Sequence, residues 1–468
     1  MADTALPAPT ARSWRTELAA TLRLSWPLAL ANLLQMATYA VDVVFIARIG
    51  PRELAASSLA VSLFGTVLWV FIGLTGAVAP LIAAELGARA HAVREVRRSV
   101  RMGLWLAVAT GLAGMALCAF GEEIMLATGQ EAQVSRLAGG YLDLLIWSFV
   151  PMIAASVLRS FVSALGRPIF ATAITGLGIV VNALANYAFV FGNWGAPALG
   201  LEGAAIATIL TSLAVLGFYL AAIRYDRRLR RYRLLGNWWR HEWSRLVEIV
   251  RIGTPIGLTT LAEAGIFGGA AFLMGRIGAT ELAAHALALQ IAALAFQIPF
   301  GIGQAATIRV GYHYGARDAA AMGRAGWAAI TTGTAFMAVS ALSIVLFPRL
   351  FLSIYIDVDA PRNAAVVAAA LSYLKVAAAF QLFDGVQAVA GGSLRGLQDT
   401  RVPMWLSIFS FWVPGLGTCI ALGFFTPLAG LGVWIGLALG LVVLSVLLMW
   451  RWLARERLGL TRASEKNG

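Results

Sequence analysis

Charge is scarce in this sequence. Only 13% of its 468 residues are Asp, Glu, Lys or Arg, against roughly 25% in a typical soluble domain. Hydrophobic residues make up 60%, and the mean hydropathy is +0.79. A soluble chain of this length could build a large core, but it would lack the charges to cover it. A bilayer removes that requirement, because lipid can face apolar side chains directly. Cysteine is almost missing as well. Cys118 and Cys419 both sit in apolar runs, which excludes a disulfide framework and a cysteine metal cluster. The four histidines, His91, His241, His285 and His313, show no ligand spacing and read as isolated loop or packing residues. There is no GxxxxGK[ST] loop and no HExxH pair. Gly166 and the later Gly195, Gly200 and Gly203 do not form a dinucleotide fingerprint. The chain is therefore expected not to be an enzyme, to need no cofactor and no ATPase subunit, and to draw energy from an ion gradient. The N-terminal stretch lacks the pattern of a cleaved signal peptide, so insertion is expected to be directed by the first span.

What the sequence does have is apolar runs. Twelve are long enough to cross about 30 Å of hydrocarbon as helices: 24–47, 56–80, 99–120, 138–158, 169–192, 202–223, 250–275, 282–308, 326–348, 364–391, 403–425 and 429–450. This predicts an all-α, polytopic membrane protein. The net charge of +13 invites nucleic acid as a partner, but the basic residues lie between apolar runs rather than along one soluble face, so no nucleic acid is expected. They read as topology signals. With the N-terminus placed in the cytoplasm, 29 of the 36 Lys and Arg residues fall on inner segments, from Arg12, Arg15 and Arg23 to Arg462 and Lys466, with Arg159 and Arg395 among them. Six fall on outer segments, and Lys375 lies within a span. That bias predicts that both termini are cytoplasmic.

The chain also repeats itself at an offset of 228 residues. Arg23 and Pro27 match Arg251 and Pro255, Arg48-Ile49-Gly50 matches Arg276-Ile277-Gly278, Glu53-Leu54-Ala55-Ala56 matches Glu281-Leu282-Ala283-Ala284, and Gly87-Ala88-Arg89 matches Gly315-Ala316-Arg317. Later the offset drifts, so that Leu158-Arg159 faces Leu394-Arg395. Six spans per repeat give both halves the same orientation, related by an axis along the membrane normal. The expected organisation is a six-helix lobe over 1–223, a basic cytoplasmic linker over 224–249, a second six-helix lobe over 250–451 and a cytoplasmic tail over 452–468. Two like bundles with a cleft between them are the usual form of an alternating-access carrier.

An ionisable residue deep in a span is costly unless it meets water or a partner, so such residues mark function. Asp42, Glu263 and Asp384 meet this criterion. Asn32, Gln35, Tyr39 and Asp42 recur at intervals of three, four and three, which puts all four on one helix face. Gln381, Asp384 and Gln387 form another polar face, and Lys375, nine residues before Asp384, points the opposite way. Glu263 is near mid-span, with Thr259 or Thr260 on its face. Asn182 and Asn186 are one turn apart, and Gln290, Gln297 and Gln304 recur every seven residues. Either set could equally serve helix packing. Tryptophans, 15 in all, cluster at expected interfaces as an aromatic belt. An apolar cavity with isolated carboxylates would suit lipophilic cations.

These residues carry a family resemblance that covers the chain from about Arg23 to Arg451. Pro27-Leu28 with Asn32-Leu33-Leu34-Gln35 and Val41-Asp42, Glu263 with Ala283-Ala284-His285, Phe380-Gln381-Leu382-Phe383-Asp384 leading to Gly392-Ser393-Leu394-Arg395-Gly396, Val181-Asn182 with Asn186-Tyr187, and Gly203 with Ala207-Thr208 resemble the multidrug and toxic compound extrusion family, in its bacterial NorM-like branch. The resemblance implies twelve helices in two lobes. It also implies export of organic cations and drugs across a bacterial inner membrane in exchange for Na⁺ or H⁺, and hence antibiotic resistance. By position, Glu263 and Asp384 match the acids linked to cation coupling and would hold any bound Na⁺. Asp42, Asn182, Asn186 and Thr208 match the polar group of the N-terminal lobe. Some relatives outside this branch have an acid where this chain has Asn186, which leaves Asp42 as the only charge of that group. The competing reading is a flippase for a lipid-linked precursor. It should need cations in its cavity to meet phosphates, and the buried charges read as mostly acidic, with Lys375 the exception. A receptor or scaffold is disfavoured by the repeat and the buried acids.

Overall fold

The computed structural model describes residues 13–89, 92–234, 236 and 238–461. Arg12, His91, Arg462 and Lys466, which entered the sequence reading, lie outside the described residues. Twelve helices are long and apolar enough to cross a membrane: α1 (Trp14–Ala47), α2 (Pro51–Ala88), α3 (Val93–Cys118), α4 (Ala132–Ala164), α5 (Ile169–Phe191), α6 (Leu201–Tyr225), α7 (Trp243–Ile277), α8 (Ala279–Gly315), α9 (Ala319–Leu346), α10 (Pro361–Gly396), α11 (Arg401–Phe424) and α12 (Gly430–Leu453). Each coincides with one of the twelve apolar runs, five of which (99–120, 169–192, 326–348, 403–425 and 429–450) overshoot a helix end by one or two residues, and no strand occurs among the described residues. Several helices run on past the apolar stretch. A helix satisfies its own backbone and can continue into water, whereas hydropathy registers only the part that suits lipid. Their outer faces expose aliphatic and aromatic side chains such as Phe272, Val339 and Leu342, as a lipid environment permits.

The chain forms two compact units, one of Met1–Ala29 with Leu258–Gly468 and the other of Leu30–Gly257. These divisions fall inside helices, not at the 223 and 250 boundaries that the sequence suggested. The first half of α1 packs with the C-terminal spans, and the start of α7 packs with the N-terminal ones. Both changeovers lie two residues beyond a proline, Pro27 in α1 and Pro255 in α7. Proline removes an i→i−4 hydrogen bond and permits a bend.

The exchanged segments are held by close backbone approach and by ion pairs. In the first unit, a Cβ on Gly301 of α8 would come within 2.6 Å of the Ala29 backbone of α1. Arg309 of α8 clasps Glu17 of α1 at 2.7, 2.8 and 2.9 Å, with His313 Nε2 3.6 Å from Glu17. In the second unit, a Cβ on Gly257 of α7 would lie 2.8 Å from the Val70 carbonyl of α2. Arg245 of α7 pairs with Glu85 of α2 at 2.5 Å and with Glu248 at 2.8 Å. Glu17 and Arg245 are 228 residues apart, as are Glu85 and His313. The repeat thus builds the same clasp twice with the acid and base exchanged.

The basic segment between α6 and α7 folds onto the second unit. Asp226 caps the short helix Arg227–Arg230 and pairs with Arg167 at 3.3 Å. Tyr232 is buried edge-on against Phe161, with ring centroids 5.4 Å apart. Arg98 and Arg101 of α3 both bind Glu242, the latter at 2.6 Å. In the first unit the core centres on fully buried Trp434, stacked between Tyr373 and Phe380 at 5.8 and 5.6 Å. Arg451 forks onto Asp399 at 2.6 and 3.1 Å.

Candidate ion-coupling sites in the two units

In the second unit, α1 presents its polar stripe to α4, α5 and α6. Asp42 Oδ1 accepts hydrogen bonds from Asn182 Nδ2 at 2.9 Å and Asn186 Nδ2 at 2.8 Å. Thr208 of α6 lies beside the same carboxylate, and its one hydroxyl proton is donated to the Ala204 carbonyl at 3.1 Å. Tyr39 joins Gln35 one turn back and faces Asp42, and buried Tyr141 of α4 closes the group. Asn182 and Asn186 lie one turn apart, so one helix face delivers both amides to one oxygen. The buried Asn186 Oδ1 has no hydrogen-bond partner. A carboxylate among neutral amides and hydroxyls carries one net negative charge, and the surplus oxygen acceptors are the donor type that hard monovalent cations prefer.

Asn32, on the same stripe, belongs to a different setting. Its Oδ1 accepts from Arg159 at 2.5 Å, with buried Tyr219 beside that guanidinium. The stripe that looks uniform in sequence is thus divided between an acidic end and a basic end.

In the first unit, Asp384 and Gln387 on α10 are buried, and Gln387 Nε2 donates to Asp384 Oδ1 at 3.1 Å. Glu263 of α7, half-buried, interacts with Asp384, with Gln387 and with Arg395 near the end of α10. Two carboxylates and one guanidinium leave one net negative charge when both acids are ionised. Gln381 is fully buried, and neither its Nε2 nor its Oε1 has a partner. Lys375 is exposed, on the face opposite Asp384, as the helical rotation requires. Of the glutamines on α8, Gln297 bonds its own helix at Ala293 O, 3.3 Å away.

Three participants escaped the sequence reading. Tyr141 gave no signal, because it is one aromatic among many. Arg159 and Arg395 were counted as topology residues of inner segments. Instead they sit inside α4 and α10, within the units, because the helices run on beyond residues 158 and 391. Lys375 is therefore not the exception among buried charges. The signal was available, since the drifting repeat places Arg159 opposite Arg395. No group of three His, Cys, Asp or Glu residues arranged for a metal ion occurs among the described residues.

A family model described as MatE matches residues 27–188 and 255–420. The chain is similar to a "Probable multidrug resistance protein NorM" of Mesorhizobium japonicum, at 45% identity over 445 residues, covering 95% of each chain. A protein of the same name from Brucella suis biovar 1 is 43% identical over 443 residues, covering 94% of each. The fold matches the crystal structure of a eukaryotic MATE transporter with a TM-score of 0.85 at 19% identity, over 95% of this chain and 99% of that one.

Proposed function

Since the chain belongs to the MatE family, we propose that it is a multidrug exporter of a bacterial inner membrane. It exchanges organic cations and drugs for Na⁺ or H⁺ by alternating access of its two units. The observation that carries this reading is the Glu263–Asp384–Arg395 cluster with Gln387. A buried group with one net negative charge is neutralised by one proton or one monovalent cation. Its two states therefore differ in electrostatic cost, and an ion that binds one conformation better shifts the population toward it. Arg395 sets the sum. Without it, two carboxylates would carry two charges, and a single ion would leave one uncompensated.

Asp42 with Asn182, Asn186 and Thr208 serves as a second, separate ion or substrate site in the other unit. Na⁺ and H⁺ compete at both groups, because each neutralises the same carboxylate. Relatives named for multidrug resistance support drugs and organic cations as cargo. Such cargo gains from apolar burial and from unscreened attraction to the acids.

The test is efflux of a fluorescent organic cation from proteoliposomes under separately imposed Na⁺ and H⁺ gradients. Drug susceptibility is measured in a host stripped of its own pumps. Gradient-driven efflux and raised resistance are expected. Correctly inserted protein that changes neither would overturn the proposal.

The flippase reading gains one observation, the half-buried Arg159, but loses another. Arg395 is already engaged by Glu263, so it is not free to meet a phosphate.

A further inference from the structure

The second unit holds a cavity of about 300 Å³ lined by Arg94, Arg97, Arg98, Arg101, Arg240 and Glu242, among others, none of them a member of either carboxylate cluster. We propose that this cavity binds the headgroup phosphodiester of an anionic phospholipid.

Arg94, Arg97, Arg98 and Arg101 succeed one another at intervals of three, one and three on α3. At about 100° per residue they fall within a roughly 100° arc of the helix. Arg240 is added from the segment that enters α7, more than a hundred residues away in sequence. Five guanidiniums face a single carboxylate, Glu242, which is already shared by Arg98 and Arg101. Arg94, Arg97 and Arg240 have no ion pair among the described residues, which leaves the lining with a surplus of positive charge.

Arg94 also stands in the first turn of α3, where the helix dipole is positive and a cation is unfavourable. An anion in the cavity relieves both repulsions at once. Guanidinium forks match phosphate oxygens two at a time.

Residues further along the same arc point to a lipid rather than a soluble anion. Four residues after Arg101 comes Trp105, stacked on Trp238 at 5.9 Å and donating to the Trp238 carbonyl at 3.1 Å. Beyond it the arc exposes Val108 at 36% and Leu112 at 56%. Trp239 and Trp243 are exposed beside the cavity. Down the helix, the order is arginine, tryptophan, aliphatic. That is the order in which a phospholipid presents headgroup, interface and acyl chain. The cavity lies where α3 and α7 both begin, at the polar edge of two spans.

The experiment is native mass spectrometry of the full-length protein in neutral detergent, titrated with dioleoyl phosphatidylglycerol or dioleoyl phosphatidylcholine, with inorganic phosphate and glycerol phosphate as soluble competitors. Wild type should prefer phosphatidylglycerol by about tenfold or more, given about 1 kcal/mol for each basic residue near the headgroup. Arg94→Gln/Arg97→Gln/Arg240→Gln should lose that preference. The charge-matched control Arg224→Gln/Arg227→Gln/Arg230→Gln, on exposed linker arginines, should keep it. Arg240→Gln alone, outside any helix, should show a partial loss and reports even where the triple variant does not fold. Equal loss in the control would make the effect general surface attraction. Displacement by millimolar inorganic phosphate would make the cavity a soluble-anion site. Wild type without preference would remove the site. Each of these three results overturns the proposal.

Discussion

Replacing Asp384 by Asn keeps the size of the side chain and deletes one charge. In the first unit this leaves Glu263 and Arg395, which sum to zero. A cation or proton that entered a site with one negative charge now enters a neutral one. Unit charges about 4–5 Å apart at an effective dielectric constant near 20 interact by about 3–4 kcal/mol, so ion affinity should fall by about 10²–10³-fold. Gln387 can still hydrogen-bond an asparagine at 384, so the helix packing survives and the variant should insert with a melting temperature close to wild type. Glu263→Gln also brings the sum to zero and should lose the ion response to the same extent. It differs in one respect, because Arg395 then lacks its acidic neighbour inside the unit. A charge left without its partner should lower stability by about 1–3 kcal/mol. The two variants thus share a functional defect and differ in stability. The assay is ion-triggered fluorescence and gradient-driven dye efflux in proteoliposomes, alongside thermal unfolding in detergent. Full wild-type coupling in well-folded D384N would remove Asp384 from the mechanism. Full ion response and efflux in E263Q would make Glu263 structural and end the two-site reading.

Three further outcomes are expected. Asp42→Asn should retain part of the ion response, since the Glu263–Asp384 group is intact, yet impair drug efflux; an unchanged efflux rate would show that the Asp42 site is dispensable. Arg309→Met leaves Glu17 buried without its fork and should cost about 3–5 kcal/mol, read as a lowered melting temperature, with Glu17→Gln/Arg309→Met recovering most of it. No recovery in the double variant would mean that the clasp is not the source of the loss. A cysteine at Ala196, between α5 and α6, should be labelled from outside the cell, against a low background because Cys118 and Cys419 are both buried. Labelling only from the cytoplasmic face would invert the topology drawn from the arginines.

Much of this protein is written along single helices. The twelve spans arise from apolar runs long enough to cross a bilayer, and each run coincides with one helical span. Helical spacing alone set Asn32, Gln35, Tyr39 and Asp42 on one face, and turned Lys375 away from Asp384. Such features need only the geometry of one helix, which is the same wherever the helix packs.

Tertiary structure decided which faces meet. Asn182 and Asn186 were matched to an N-terminal polar group by family resemblance, but their bonds to one oxygen of Asp42 join residues more than a hundred positions apart. The same packing separated Asn32 from Asp42 by giving it Arg159. It also turned apparent loop cations into internal partners, Arg395 for Glu263 and Arg245 for Glu85. An arginine at a helix end looks the same in sequence whether it faces water or a buried acid. Only the neighbouring helix tells them apart, because the cost of burying its charge is met by a residue far along the chain. The division of the units was hidden for a related reason. Apolar stretches read continuously through Pro27 and Pro255, while the two halves of α1, and likewise those of α7, are claimed by different packing partners, Arg309 on one side and Glu85 on the other.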